Sequence, residues 1–252
     1  MLNEVRIIGV GGMPEFGPGD DLAGLMIDAA AAQGTPIEAG DILVVTQKVI
    51  SKVEGKVMTF EGVEPSALAI TITEGHRRDP RHTEMILRES VRIVRMDRGV
   101  IIAETKHGFY CANAGIDASN IPGNNTIALL PDDSDVSAQS IREAVRQRLG
   151  VDVAVIVSDT FGRPWRNGAA NVAIGVAGMD PLLDYVGALD AHGNVLHTTQ
   201  IAVADELAAA AELVTGKALG IPVTIIRDYE FETLEGATIQ RLLRTGERDL
   251  FR

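Results

Sequence analysis

Short apolar runs followed at once by glycine or polar residues recur along this chain, and they predict buried strands at residues 5–10, 41–45, 153–157 and 223–226. Between them, apolar residues at three- and four-residue spacing predict helices. Asp20 or Asp21 caps the first, in which Leu22, Leu25, Met26 and Ala29 share a face and which Gly34 ends. Residues 64–90 read as helical, with Pro65 suited to a first turn. A helix from Ser137 carries Ile141, Val145 and Leu149 at four-residue steps and stops at Gly150. Residues 202–214, rich in alanine, form the most helical run of all, and Asp205 and Glu206 in its first turns suit the helix dipole without a functional role. Residues 91–96 and 100–104 predict a hairpin around Asp97-Arg98-Gly99, and Leu129-Leu130-Pro131 closes a further strand. Residues 180–201 are less regular.

The stretch from 151 to 178 organises the chemistry. Its strand delivers Ser158, Asp159 and Thr160 together, and a carboxylate beside hydroxyls at the end of a buried strand is a common source of hard oxygen ligands for a divalent metal. Arg163, Arg166 and Asn167 follow closely enough to hold phosphate or carboxylate oxygens, although the same residues also suit a solvated turn. Lys48 and Lys52 stand four apart after the second strand, so on a helix both ammonium groups share a face, where a polyphosphate between them relieves their repulsion; a solvated charged face is the alternative. Asp117 lies among Asn113, Ser119 and Asn120 with Gly115 close by, an arrangement that serves either a ligand site or an Asx turn. Gly11 and Gly12 open a loop in which backbone N–H groups can approach a ligand, or which is simply a turn. The Gly216-Lys217 loop is not a P-loop, since it lacks that spacing and leads into a strand. His76 and His82 fit no metal motif and read as surface residues.

Composition narrows the field. At 252 residues and 46% hydrophobic, the chain can bury a substantial core. A net charge of -12 argues against nucleic acid and anionic membranes, so any phosphate site must be local. The single Cys111 excludes an internal disulfide and a zinc site built on several thiolates, which makes the cytoplasm the expected compartment. No run approaches the roughly 20 apolar residues of a membrane span, and the amino-terminal pattern is not that of a signal peptide.

The runs LVVTQKVISKVEG, ANAGIDASNI, VIVSDTFGRPWRNG and VADELAAAAELVTGK resemble those of the γ-glutamyl ligases of coenzyme F-420 biosynthesis, in the same order and over nearly the whole chain. The resemblance implies a mixed α/β (α+β) fold and an intertwined homodimer. It implies one ligase domain over residues 1–252, without the flavin-binding domain that some actinobacterial relatives carry after it. The implied activity is GTP-dependent addition of L-glutamate to the free carboxylate of the coenzyme precursor, then of further glutamates through γ-linkages. Carried over to this chain, it assigns Asp117, Asp159 and Thr160 to Mg2+ or Mn2+, with K+ as a further candidate cation. It assigns Met13, Pro14, Glu15, Phe16, Gln47, Lys48, Lys52 and Asn120 to GTP, together with Thr215, Gly216, Lys217, Gly220 and Ile221. Arg163 and Arg166 are the candidates for binding a carboxylate, and no residue stands out as a general base. Two readings of other classes compete: a non-catalytic nucleotide or metabolite sensor, which needs no paired metal carboxylates, and a metal-dependent phosphohydrolase built on the same aspartates.

Overall fold

The computed structural model describes residues 4–118, 123, 125–244 and 249. In chain order it contains β1 (Arg6–Val10), α1 (Leu22–Ala32), β2 (Ile42–Thr46), α2 (Gln47–Val53) and β3 (Val57–Thr59). Next come α3 (Ala67–Thr73), α4 (Pro80–Glu89), β4 (Ser90–Asp97), β5 (Val100–Thr105) and β6 (Tyr110–Ala112), a 3-10 turn over Asn113–Gly115, and β7 (Thr126–Ala128). The rest comprises α5 (Ser134–Leu149), β8 (Ala154–Gly162), β9 (Ala169–Ala177), β10 (Leu183–Asp184), β11 (Gln200–Ile201), α6 (Val203–Thr215), β12 (Val223–Arg227) and a 3-10 turn over Ile239–Leu242. This is a mixed α/β architecture.

The apolar runs assemble into one five-stranded sheet of order β1-β12-β2-β8-β9. Only β2 and β8 pair in parallel within it; the other three pairings are antiparallel. Residues such as Leu43, Val155, Ile156 and Ile225 have no exposed surface, as expected of strands covered on both faces. Each such side chain contributes about 1.5–3 kcal/mol by leaving water. A second hydrophobic cluster joins Phe60, Met85, Ile86, Ile101 and Ile127 beside the three-stranded sheet β4-β5-β6.

Four boundaries differ from the sequence reading. The helical stretch 64–90 splits into α3 and α4, because Asp79 accepts from the Arg81 N–H and Pro80 starts a new helix. Helix α5 begins at Ser134, three residues early, because Asp133 rather than a hydroxyl caps it through the N–H groups of Asp135 and Val136. Strand β7 ends at Ala128, before the leucines. Strand β8 continues past its apolar run to Gly162, held by pairing with β9, so Ser158, Asp159 and Thr160 lie within the strand and not just beyond its end. His82 is also not a surface residue: it is half-buried against the Phe60 ring, and burial, then the Arg78 charge, lowers its pKa.

Candidate active site at the carboxyl edge of the central sheet

Strand direction decides which segments meet. β1, β2 and β8 all run toward one edge of the sheet, while β9 and β12 start from it. The loop after β1, the start of α2, the end of β8, the start of β9 and the loop before β12 therefore converge there. The amide of Thr46 at the end of β2 donates to the Pro222 carbonyl, which ties two of these segments together at 3.0 Å. Ligand sites in α/β sheets commonly lie beyond the carboxyl ends of parallel strands.

A cavity of about 570 Å3 opens at this edge, within the range of about 300–1,000 Å3 typical of small-molecule sites. It is lined by Met13, Pro14, Glu15 and Phe16 from the loop after β1, and by Gln47, Lys48 and Lys52 from α2. Asp117, Asp159 and Thr160 stand on another wall, and Thr215, Gly216, Lys217, Gly220 and Ile221 come from the loop before β12. Met13 and Phe16 also pack on the main hydrophobic cluster, which anchors their loop. Asn120 and its neighbour Ser119 lie outside the described residues.

Helix α2 starts directly from β2 and presents Lys48 and Lys52 one turn apart. The Lys48 ammonium meets Asp117 Oδ2 at 2.7 Å, and that of Lys52 meets Glu15 Oε2 at 2.8 Å. Gln47 is buried, and its side-chain amide donates to Ser51 Oγ and to the Leu129 carbonyl. Those bonds fix the helix against the segment after β7.

Asp117 reaches the cavity through an unusual backbone. Asn113, Ala114 and Gly115 have positive φ of 54°, 54° and 72°, a left-handed run in which the two non-glycine residues cost roughly 1–3 kcal/mol each. Gly115 is required twice over, since a Cβ there would lie 2.8 Å from Leu130 Cδ1. The run leads into a bridge between Asp117 and Ala128, closed by hydrogen bonds of 3.1 and 2.8 Å. Strain concentrated two residues before a carboxylate is what a site that must aim that carboxylate would show.

On β8 a register shift between Val157 and Ser158 interrupts the pairing with β9 immediately before Asp159. Such a bulge re-aims the side chains that follow it. Asp159 is enclosed by protein around the small face it shows to the cavity, and burial raises its pKa to about 6, the Thr160 N–H opposing and the Asp117 charge adding to the rise. Thr160 Oγ donates to Asn171 Oδ1 at 2.7 Å and also contacts the Lys217 ammonium. Asn171 in turn donates to Glu212, which also accepts from Thr215 at 3.0 Å. No local motif marks Asn171 or Glu212. Asn171 is identified only by register, as the β9 residue opposite Thr160, and Glu212 reads like any polar residue of an amphipathic helix.

Two carboxylates and a hydroxyl form a hard oxygen donor set, which fits Mg2+ or Mn2+. Among the described residues no group of three or more His, Cys, Asp or Glu could enclose a metal ion, so such an ion would complete its shell with water and ligand phosphate oxygens, as Mg2+ commonly does. Arg163 and Arg166 lie outside the cavity lining, in the turn between β8 and β9. The Arg163 guanidinium donates to the carbonyls of Asn167 and Gly168 in that same turn. Cys111 is buried near Asp159, and burial pushes its thiol pKa up to about 12, which keeps it neutral.

The fold and cavity define an α/β protein with three lysines and two aspartates around one cavity of about 570 Å3. The sequence profile of the F420-0:gamma-glutamyl ligase family matches residues 12–228. The chain is 46% identical over 250 residues to the coenzyme F420:L-glutamate ligase of Methanothermobacter thermautotrophicus, covering 98% of this chain and 99% of that one. It is 44% identical to the enzyme of the same name from Methanopyrus kandleri, over 93% of this chain and 92% of that one. The corresponding ligase of Methanocaldococcus jannaschii is 44% identical over 86% of each chain. The chain belongs to the F420-0:gamma-glutamyl ligase family and is an enzyme of the ligase class. Among the described residues no helix is long and apolar enough to cross a membrane.

Proposed function

We propose that this enzyme ligates L-glutamate to the coenzyme F-420 precursor, and then further glutamates through γ-linkages, at the expense of GTP. The observation that carries the reading is the convergence of Lys48, Lys52 and Lys217 with Asp117, Asp159 and Thr160 around one cavity in a chain of this family. A carboxylate is a poor acyl donor at neutral pH. In the proposed reaction an oxygen of the acceptor carboxylate bonds to the γ-phosphorus of GTP while the bond to the bridging oxygen breaks and GDP leaves. The glutamate amine then attacks the acyl carbon, phosphate departs, and the amine proton passes to solvent.

The three lysines offset the triphosphate charge, which otherwise opposes the approach of a second anion. Lys48 is held by Asp117 and Lys52 by Glu15, so the ammonium groups are positioned before nucleotide arrives. Asp117, Asp159 and Thr160 would hold the divalent cation, which when bound neutralises phosphate charge and orients the phosphoryl group. Met13, Pro14, Glu15 and Phe16, with the loop from Thr215 through Ile221, close the nucleotide from two sides in this reading. With GTP and glutamate as co-substrates, the enzyme acts in the cytoplasm, which cell fractionation tests.

Mass spectrometry after incubation with GTP, Mg2+ or Mn2+, precursor and glutamate tests the reaction. Product heavier by glutamyl units supports ligation. GDP without glutamylated product would identify a phosphohydrolase instead, and neither product a sensor.

For Lys52→Ala the KM for GTP is expected to rise by roughly tenfold to a hundredfold, equivalent to about 1.5–3 kcal/mol for a charge-assisted contact, with the KM for glutamate little changed. Equal changes in both constants would make Lys52 a structural partner of Glu15 and nothing more.

We also propose a homodimer. β4 is an edge strand, and Val91, Val94 and Met96 along it are 67%, 45% and 49% exposed, apolar surface that a second copy would cover. Light scattering at micromolar concentration should give twice the mass of one chain, and the mass of a single chain would refute the dimer.

A further inference from the structure

A second, smaller cavity of about 210 Å3 shares Asp117, Asp159 and Thr160 with the large one. Its other walls are Cys111, Ala112, Gly115 and Ile116 on one side and Phe161 and Gly162 at the end of β8 on the other. The carboxylates and hydroxyl therefore stand between two spaces, one rich in lysine and one with no charged side chain, among the described residues, beyond the shared ones.

We propose that the small cavity receives the carboxylate end of the acceptor, and that acceptor and nucleotide reach the shared residues from different spaces. This rests on the reading of the large cavity as the triphosphate site. In phosphoryl transfer the attacking and leaving oxygens lie roughly in line through phosphorus. With the triphosphate in the large cavity and its γ-phosphate at Asp117, Asp159 and Thr160, the nucleophile must come from across those residues, and the small cavity is the space that opens there. Free glutamate suits it less well. It carries two carboxylates and an ammonium, and burying each of them is costly, whereas the acceptor's reacting end brings a single carboxylate, whose charge the divalent cation on the shared Asp117 and Asp159 would offset. The volume admits no more than that end. The rest of the acceptor then leaves past Gly162, toward the β8–β9 turn where Trp165 is 85% exposed.

Gly162 provides a clean test. Its φ is not in the left-handed region, and among the described residues nothing lies within 4 Å of an added Cβ. Gly162→Leu should raise the KM for acceptor at least tenfold while the KM values for GTP and glutamate stay within twofold. Ala112→Leu, from the facing wall, should do the same, and serves if Gly162→Leu fails to fold. Melting temperature and calorimetric titration with GTP check the fold and the large cavity in each variant. A rise in the glutamate KM alone would assign the small cavity to the amine substrate and overturn the proposal, and so would unchanged constants in both variants. If the unmodified enzyme forms no glutamylated product from GTP, the ligase reading itself fails, an outcome separate from any change in the variants.

Discussion

Asp159→Asn is expected to lower kcat for ligation by at least about a hundredfold to a thousandfold, the range seen when one preorganised electrostatic partner of a transition state is removed. The geometry accounts for the size of the effect. Asp159 is partly buried, lies near the Asp117 charge, and lines both the large and the small cavity. Asp117→Asn should cost a similar amount. The double variant should lose little more than either single one, because groups that act as a unit are not additive. Calorimetric titration with Mg2+ or Mn2+ in the presence of GTP provides the direct check. An Asp117→Asn protein that binds metal with unchanged affinity and stoichiometry would show that the two aspartates do not share a site.

The same residue gives a pH signature in the metal-free protein. Its pKa is raised from the ordinary 3.8 to about 6, by burial first and by Asp117 as well. A carboxyl whose folded pKa lies above its unfolded value stabilises the fold most when protonated, and this contribution is lost as pH rises from about 4 through about 6. The loss is at most about 3 kcal/mol, from about 1.4 kcal/mol per pKa unit. Asp159→Asn should therefore melt several degrees higher than the parent at pH 7 without metal and near the parent at pH 4. Metal affinity should fall as pH drops through about 6, since the ion binds the deprotonated carboxylate. A parent protein whose metal-free stability is flat between pH 4 and 7 would count against the enclosed, repelled carboxylate.

Arg142→Ala should be strongly destabilising, by about 3 kcal/mol or more. Its side chain is only 2% exposed, yet it lies on α5 with its charge intact. It is clamped by Asp152 at 3.0 Å and by Glu235 at 2.6 Å, and it also donates to the Val153 carbonyl. Asp152 and Glu235 are themselves 52% and 71% exposed, so most of the loss comes from the vacated space and the unpaired Val153 carbonyl rather than from stranded charge. The residue staples α5, the start of β8 and the segment after β12, and thus fixes the strand that carries Asp159. Denaturant unfolding should show the loss, with a melting temperature lower by about 10 °C for a chain of this size. A change below about 1 kcal/mol would show that the fold does not depend on this staple.

The residues themselves determined where the core strands lie, because an unbroken run such as ILVV or AVIV can be satisfied only by burial on both faces. They also determined the helix stops at Gly34 and Gly150, the hairpin at Asp97-Arg98-Gly99 and the local pairing of Lys48 with Lys52, since each depends on neighbours within a few positions. The family was legible too, in four separated blocks whose order no single motif would reproduce. Only the tertiary structure decided that β8 runs on to Gly162, because the pairing that holds its polar end comes from β9 and not from its own composition. It alone placed Asn171 opposite Thr160, tied Arg163 into its own turn, and brought Asp117 to face Asp159 across forty-two positions of sequence. Strand direction is the physical reason. Whether a loop lies at one edge of a sheet or the other depends on pairings between segments far apart in the chain, and no local pattern of residues records that choice.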